Sequence, residues 1–206
     1  MSSGNLRSRL RATADPILRG RGFESTRGLE YLRLTSADRK ERIGLSTFID
    51  RTGTIRATLG VGIRFETVER LRRRELEPSA PTIGLPLHFL RPGRKYFDWP
   101  LRSEQDWVDL EAEIARGADE AEQFLALFPS LTEVAAALDS DEPRNWFTLG
   151  PMVRVETLAL IDFSKGNRAG AIGRLDRTIE SLKNAPEKVR VPLVRLRDHL
   201  LTLSRA

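Results

Sequence analysis

The side chains able to do chemistry are few, and none falls into a recognised catalytic spacing. His88 and His199 are the only histidines, and neither has a partner histidine at metal-ligand spacing. Cysteine is absent, which excludes thiolate nucleophiles, disulfides and cysteine-ligated zinc and fits a reducing, cytoplasmic location. Gly60-Val61-Gly62 lacks the later glycine of a dinucleotide fingerprint and lies inside a strand pattern, so it reads as close packing or a bulge. Gly166, Gly170 and Gly173 do not have phosphate-loop spacing, and Lys165 precedes the first of them; tight helix packing is their expected role. Glu156 and Asp162 interrupt an apolar helix six residues apart, on different faces. A buried carboxylate is costly unless paired, so each is expected in solvent or against an arginine rather than in acid–base work. No cofactor, no metal and no catalytic residue are expected from these patterns.

The richest constellation is arginine with aromatic. Arg72, Arg73 and Arg74, together with Arg91, Arg94, Lys95, Tyr96, Phe97 and Trp99, form the candidate binding surface, because guanidinium and aromatic groups suit phosphates, stacked bases and protein hot spots alike. The competing expectation is a solvated helix face followed by a loop whose aromatics cap a sheet.

Charge is distributed by segment. Residues 1–102 hold 21 Lys+Arg against 11 Asp+Glu, residues 103–145 hold 2 against 12, and residues 146–206 hold 11 against 6. A basic first half suits nucleic acid or an anionic surface, whereas an acidic middle can fold back against it. Only 5 of the 34 cations are lysine, which is as consistent with codon usage as with function. No apolar run is long enough to span a bilayer, so no membrane partner is expected.

These side chains must be held by elements that the patterning marks out. Leu6, Leu10, Ala14 and Ile17 share one face of a helix from about Asn5 to Arg19, ended by Gly20 and Gly22. Strands are expected near 29–35, 42–50, 54–65 and 82–90, the third being the clearest, with Ile55, Ala57, Leu59, Val61, Ile63 and Phe65 pointing one way. Short turns between the first three imply an antiparallel meander, and Pro86 places the fourth at an edge. A helix is expected from Glu66 to about Glu77, and a loop over Arg91 to Pro100. Ser103 with Asp106 opens a long amphipathic helix carrying Trp107, Leu110, Ile114, Ala118, Ala121 and Leu125, and Ser130 with Glu133 opens a short one through Leu138. After a linker over Asp139 to Asn145, the tail reads as three helices: one around Met152 to Phe163, one around Ile172 to Leu182, and one starting at Pro186 or Pro192. The first of these is apolar on so many faces that a helix from the body, the Trp107 helix or its successor through Leu138, is expected to cover one of them.

The fold class is therefore α+β: a mainly antiparallel four-stranded sheet covered on one face by the first helix and the Trp107 helix, then a C-terminal helical region. The division expected is 1–140 for the sheet domain and 146–206 for a helical tail packed on it, or one continuous domain. Gly22-Phe23 at the end of the first helix, the Leu59 to Phe65 strand, and Trp107 opening an acidic helix together resemble an uncharacterised bacterial family of unknown function over about residues 6–128. The resemblance implies a cytoplasmic α+β domain with no established activity, and it carries over no site residues. Gly166-Asn167, Ala171-Ile172, Leu175 and Ile179 are similar to the turn and second helix of a tetratricopeptide repeat, as a single hairpin. Function is expected to be a non-enzymatic protein-interaction or regulatory module, of immunity type among others, whose partner is another protein. The alternatives are weak, sequence-independent nucleic-acid binding through the basic half, and an enzyme whose site converges only in space.

Overall fold

The computed structural model describes residues 3–26, 28–72, 81–91, 98–140 and 150–205. The chain divides into two compact units, Met1–Arg64 with Ile83–Pro129, and Phe65–Thr82 with Ser130–Ala206. The division thus falls just after the Trp107 helix, and the excursion between the third and fourth long strands groups with the C-terminal helices.

The first unit opens with α1 (Ser3–Arg19), whose Leu10, Ala14 and Leu18 are buried. Gly22, at φ 80°, ends it in a left-handed cap: the Gly22 N–H donates to Arg19 O at 2.9 Å and the Phe23 N–H to Leu18 O at 3.0 Å. Six antiparallel strands follow among the described residues: β1 (Glu24–Ser25), β2 (Glu30–Leu34), β3 (Arg39–Ile49), β4 (Ile55–Phe65), β5 (Ile83–Pro86) and β6 (Trp99–Pro100). Their order is β1-β2-β3-β4-β5, with β6 also paired to β4. The class is α+β, as the patterning implies; two two-residue strands raise the count from the expected four to six. The β3–β4 turn is fixed by Asp50, whose carboxylate accepts from the Thr52 hydroxyl and the Arg56 guanidinium, both at 2.6 Å.

The alternation through Leu87 and Phe89 does not make a strand. β5 stops at Pro86, and Leu87–Leu90 form a 3-10 turn that buries Leu87 and His88. Period two cannot distinguish these, and Pro86 removes the N–H that would have carried the ladder on. Trp99, expected in a loop, pairs with Ala57 in β6 and is buried.

Long α3 (Glu104–Ala126) begins in the expected capping box: the Asp106 N–H donates to Ser103 Oγ at 3.2 Å and the Ser103 N–H to Asp106 Oδ2 at 2.9 Å. Trp107, Leu110, Ile114, Ala118, Ala121 and Leu125 bury its inner face, and α3 packs on α1, β3, β6 and the 3-10 turn. Gly117 permits that approach, since a Cβ there would meet Leu87 Cδ1 at 2.9 Å and Leu59 Cδ1 at 3.0 Å. The acids of α3 meet arginines of the basic half: Arg21 reaches Asp119 at 2.7 Å, Arg33 grips Glu122 with two bonds of 2.6 and 2.7 Å, Arg9 pairs with Glu104, and Arg91 lies 2.9 Å from Glu120 and 3.1 Å from Glu113. The opposite charges of the two segments are in this way partly cancelled within one unit.

The second unit is helical. α5 (Pro151–Ser164) and α6 (Arg168–Ser181) form a hairpin turned at Gly166, φ 86°, and capped where Asn167 Oδ1 accepts from the Gly170 N–H at 3.0 Å. α7 (Glu187–Arg205) starts directly after Pro186 and runs through Pro192. Two further helices, α2 (Glu66–Leu71) and α4 (Leu131–Asp139), pack on α5 beside α6 and α7. Four neighbours account for the apolar character of α5 on nearly every side, and α4, the successor helix through Leu138, is one of them. α2 is shorter than the expected 66–77 helix within the described residues, since Arg72 is its C-cap.

Candidate functional site

Arg72, the first residue of the expected binding surface, is an internal strut of the helical unit. Its side chain is only 4% exposed. The guanidinium donates from Nη1 to Glu69 Oε1 at 2.6 Å, from Nε to Glu156 Oε1 at 2.7 Å, and from Nη2 to Thr157 Oγ1 at 2.6 Å. Glu69 is fully buried; its Oε1 also accepts from the Thr82 hydroxyl at 2.8 Å, and Thr82 Oγ1 in turn accepts from the Phe65 N–H at 2.9 Å. The excursion between Phe65 and Thr82 is thereby closed at its base and tied to α5. Sequence position hides this: Glu69 is three residues away on the same helix, but Glu156 is 84 away and becomes a partner only through packing. Glu156 and Asp162 both have arginine partners, Asp162 lying 3.2 Å from Arg174.

Beside the strut, a cleft of about 390 Å³ is lined by Leu71, Arg72, Glu156, Leu196 and His199, among others. Glu156 Oε1 is held by Arg72, so the cleft presents a fixed ion pair beside a histidine. No group of three metal-ligating side chains occurs among the described residues.

Arg91 and Trp99 belong to the sheet unit, whereas Arg72 belongs to the helical one. Arg91 bridges two α3 carboxylates, and Trp99 is buried in the sheet. Each of these three residues is thus engaged or buried within its own unit; Arg73, Arg74, Arg94, Lys95, Tyr96 and Phe97 lie outside the described residues. His88 is buried in the 3-10 turn, and desolvation pushes its imidazole below the ordinary histidine range.

One feature of the sheet unit escaped the patterning. β3 has eleven residues and β2 only five, and the register pairs Glu30 with Gly44, leaving the end of β3 beyond β2. The chain turns away there at Gly28, φ 86°, held by Arg11 Nη2, which donates to Thr26 O at 2.9 Å. Next to this end is a groove of about 430 Å³ lined by Leu6, Leu10, Leu29 and Leu45 together with Arg7 and Thr47. Ile49 is 70% exposed and Phe48 37%. The spans expected from the sequence, 29–35 and 42–50, are of nearly equal length and carried no signal of this offset.

No family model matches the chain, and no curated protein or solved structure is similar to it. No helix among the described residues is long and apolar enough to cross a membrane.

Proposed function

We propose that the chain is a protein-interaction module whose sheet unit holds a partner protein, without an enzymatic step of its own. The observation that carries this reading is where apolar surface remains: every large, well-exposed hydrophobic side chain among the described residues (Leu34, Phe48, Ile49, Val108 and Leu127) lies on the sheet unit. Two of them follow one another at the end of β3 on opposite faces, and Ile49 shares the face of Leu45 and Thr47, which line an aliphatic groove. Exposed apolar groups that cluster at a groove favour a protein partner. Nucleic-acid binding is the weaker alternative, because Arg9, Arg21, Arg33 and Arg91 are already engaged by the carboxylates of α3.

Affinity capture with the full chain from its native host, with analysis of bound protein, nucleic acid and small molecules, tests the reading. A stoichiometric protein that survives nuclease treatment is expected. Recovery of nucleic acid alone, or turnover of a co-purified small molecule, would refute it.

A further inference from the structure

We infer that the end of β3 accepts an extended segment of the partner as an added strand, with apolar side chains alternating along it and a carboxylate set against Arg7. This inference rests on the interaction reading and adds the place and chemistry of docking. The phase of the ladder fixes which backbone groups are available. The Leu45 N–H donates to Leu29 O at 2.9 Å, so odd-numbered residues of β3 turn their N–H and C=O toward β2. On the other side, the Asp50 N–H donates to Thr54 O at 3.0 Å, so even-numbered residues face β4. Thr47 and Ile49 therefore aim their donors and acceptors along the line that β2 has left, where no strand pairs with them among the described residues. Unpaired strand edges of this kind are templates for main-chain pairing, and the neighbouring side-chain pockets decide which sequence is accepted.

The groove supplies those pockets. Leu6 and Leu10 of α1, with Leu29 and Leu45, give the alternate side chains of an added strand an aliphatic bed. Arg7 lines the same groove, is exposed, and has no carboxylate partner among the described residues. Glu30, the acid nearby, is already paired with Arg42 at 2.5 Å. The unbalanced charge is thus a cation, which selects an acidic residue on the incoming strand.

The probe is a capped heptapeptide with valine and glutamate sharing the odd positions, on the face turned to the groove, and threonine at the even ones, titrated into the full chain labelled for amide NMR. Shifts confined to Leu45–Ile49 and the N-terminal half of α1 are expected. Methylating the peptide's ladder-forming amides should weaken binding by roughly tenfold, as loss of one or two hydrogen bonds does. Lysine in place of its glutamates should weaken binding too, and Arg7→Ala should erase that preference. Thr47→Pro, which removes an N–H that the added strand would bond and that no described strand of the chain uses, should abolish binding. The methylated peptide needs no altered protein, so a variant that misfolds leaves the test intact. Equal binding of methylated and unmethylated peptides, shifts elsewhere, or no binding by any of the peptides would overturn the inference. A captured protein partner that binds Thr47→Pro as tightly as the natural chain would overturn it while leaving the interaction reading standing; capture of nucleic acid alone would remove that reading itself.

Discussion

Replacing Arg72 by alanine should be among the most damaging single changes to the helical unit. The guanidinium holds one fully buried carboxylate, Glu69, and one partly buried, Glu156. Without it, Glu69 Oε1 keeps, among the described residues, only the Thr82 hydroxyl, and Oε2 has no partner among them to begin with. Removing one member of a buried pair costs about 3–5 kcal/mol, because the desolvated charge left behind is uncompensated. Solvent does not soften that figure for Glu69, which is 0% exposed, whereas Glu156 retains access to water. Thr157 loses a donor but still donates to Val153 O at 2.7 Å, so its share is small.

Urea unfolding followed by far-ultraviolet circular dichroism measures the effect. With a slope of roughly 1–3 kcal/mol/M, the midpoint of the helical unit should fall by about 2 M. Removing both charges should be far milder, since a buried pair replaced by apolar groups of similar size is often neutral. The double variant Glu69→Leu with Arg72→Met is therefore expected to recover at least about 2 kcal/mol relative to the sum of the single changes. A loss below about 1 kcal/mol for Arg72→Ala, or strict additivity in the cycle, would refute the strut.

Gly117→Ala should destabilise by about 1 kcal/mol despite the better helix former, because the new methyl meets two buried leucine side chains; a thermal melt showing a gain would contradict the close packing of α3. Burial lowers the His88 pKa from 6.5, so its contribution to stability is full above that value and lost as pH falls through the folded pKa; His88→Asn should flatten the fall in melting temperature between about pH 7 and 5, and an unchanged slope would contradict the assignment. A chain ending at Ser140 takes α5 away from the buried Val68, Val134 and Leu138, so it should bind hydrophobic dye and melt earlier; a monomer melting no earlier than the full chain would show that α2 and α4 do not need α5.

Elements whose ends are set by local chemistry were legible in the sequence. Ser103 with Asp106 and Ser130 with Glu133 place two helix starts correctly, and the unbroken alternation from Ile55 to Phe65 marks β4. Features set by partners distant in the chain were not. The run Arg72, Arg73, Arg74 looks like a solvated helix face, yet Arg72 is buried, because Glu156 and Thr157 arrive from a helix over 80 residues later. Leu85 to Phe89 keeps period two while the backbone leaves the sheet at Pro86, since burial of Leu87 and His88 is met equally well by a 3-10 turn. A two-residue strand such as β6 has no period of its own, and only pairing with β4 defines it. The open end of β3 was not legible, because the two expected strands are of nearly equal length and the offset appears only once Glu30 is set opposite Gly44.

Amide hydrogen exchange on the captured complex, compared with the free full chain, tests most directly whether the sheet unit holds a protein partner. Slowed exchange at Thr47 and Ile49, whose N–H groups have no strand partner among the described residues, together with slowing in the N-terminal half of α1, is expected. Protection confined to α5, α6 and α7, or an exchange pattern unchanged by the partner, would contradict it.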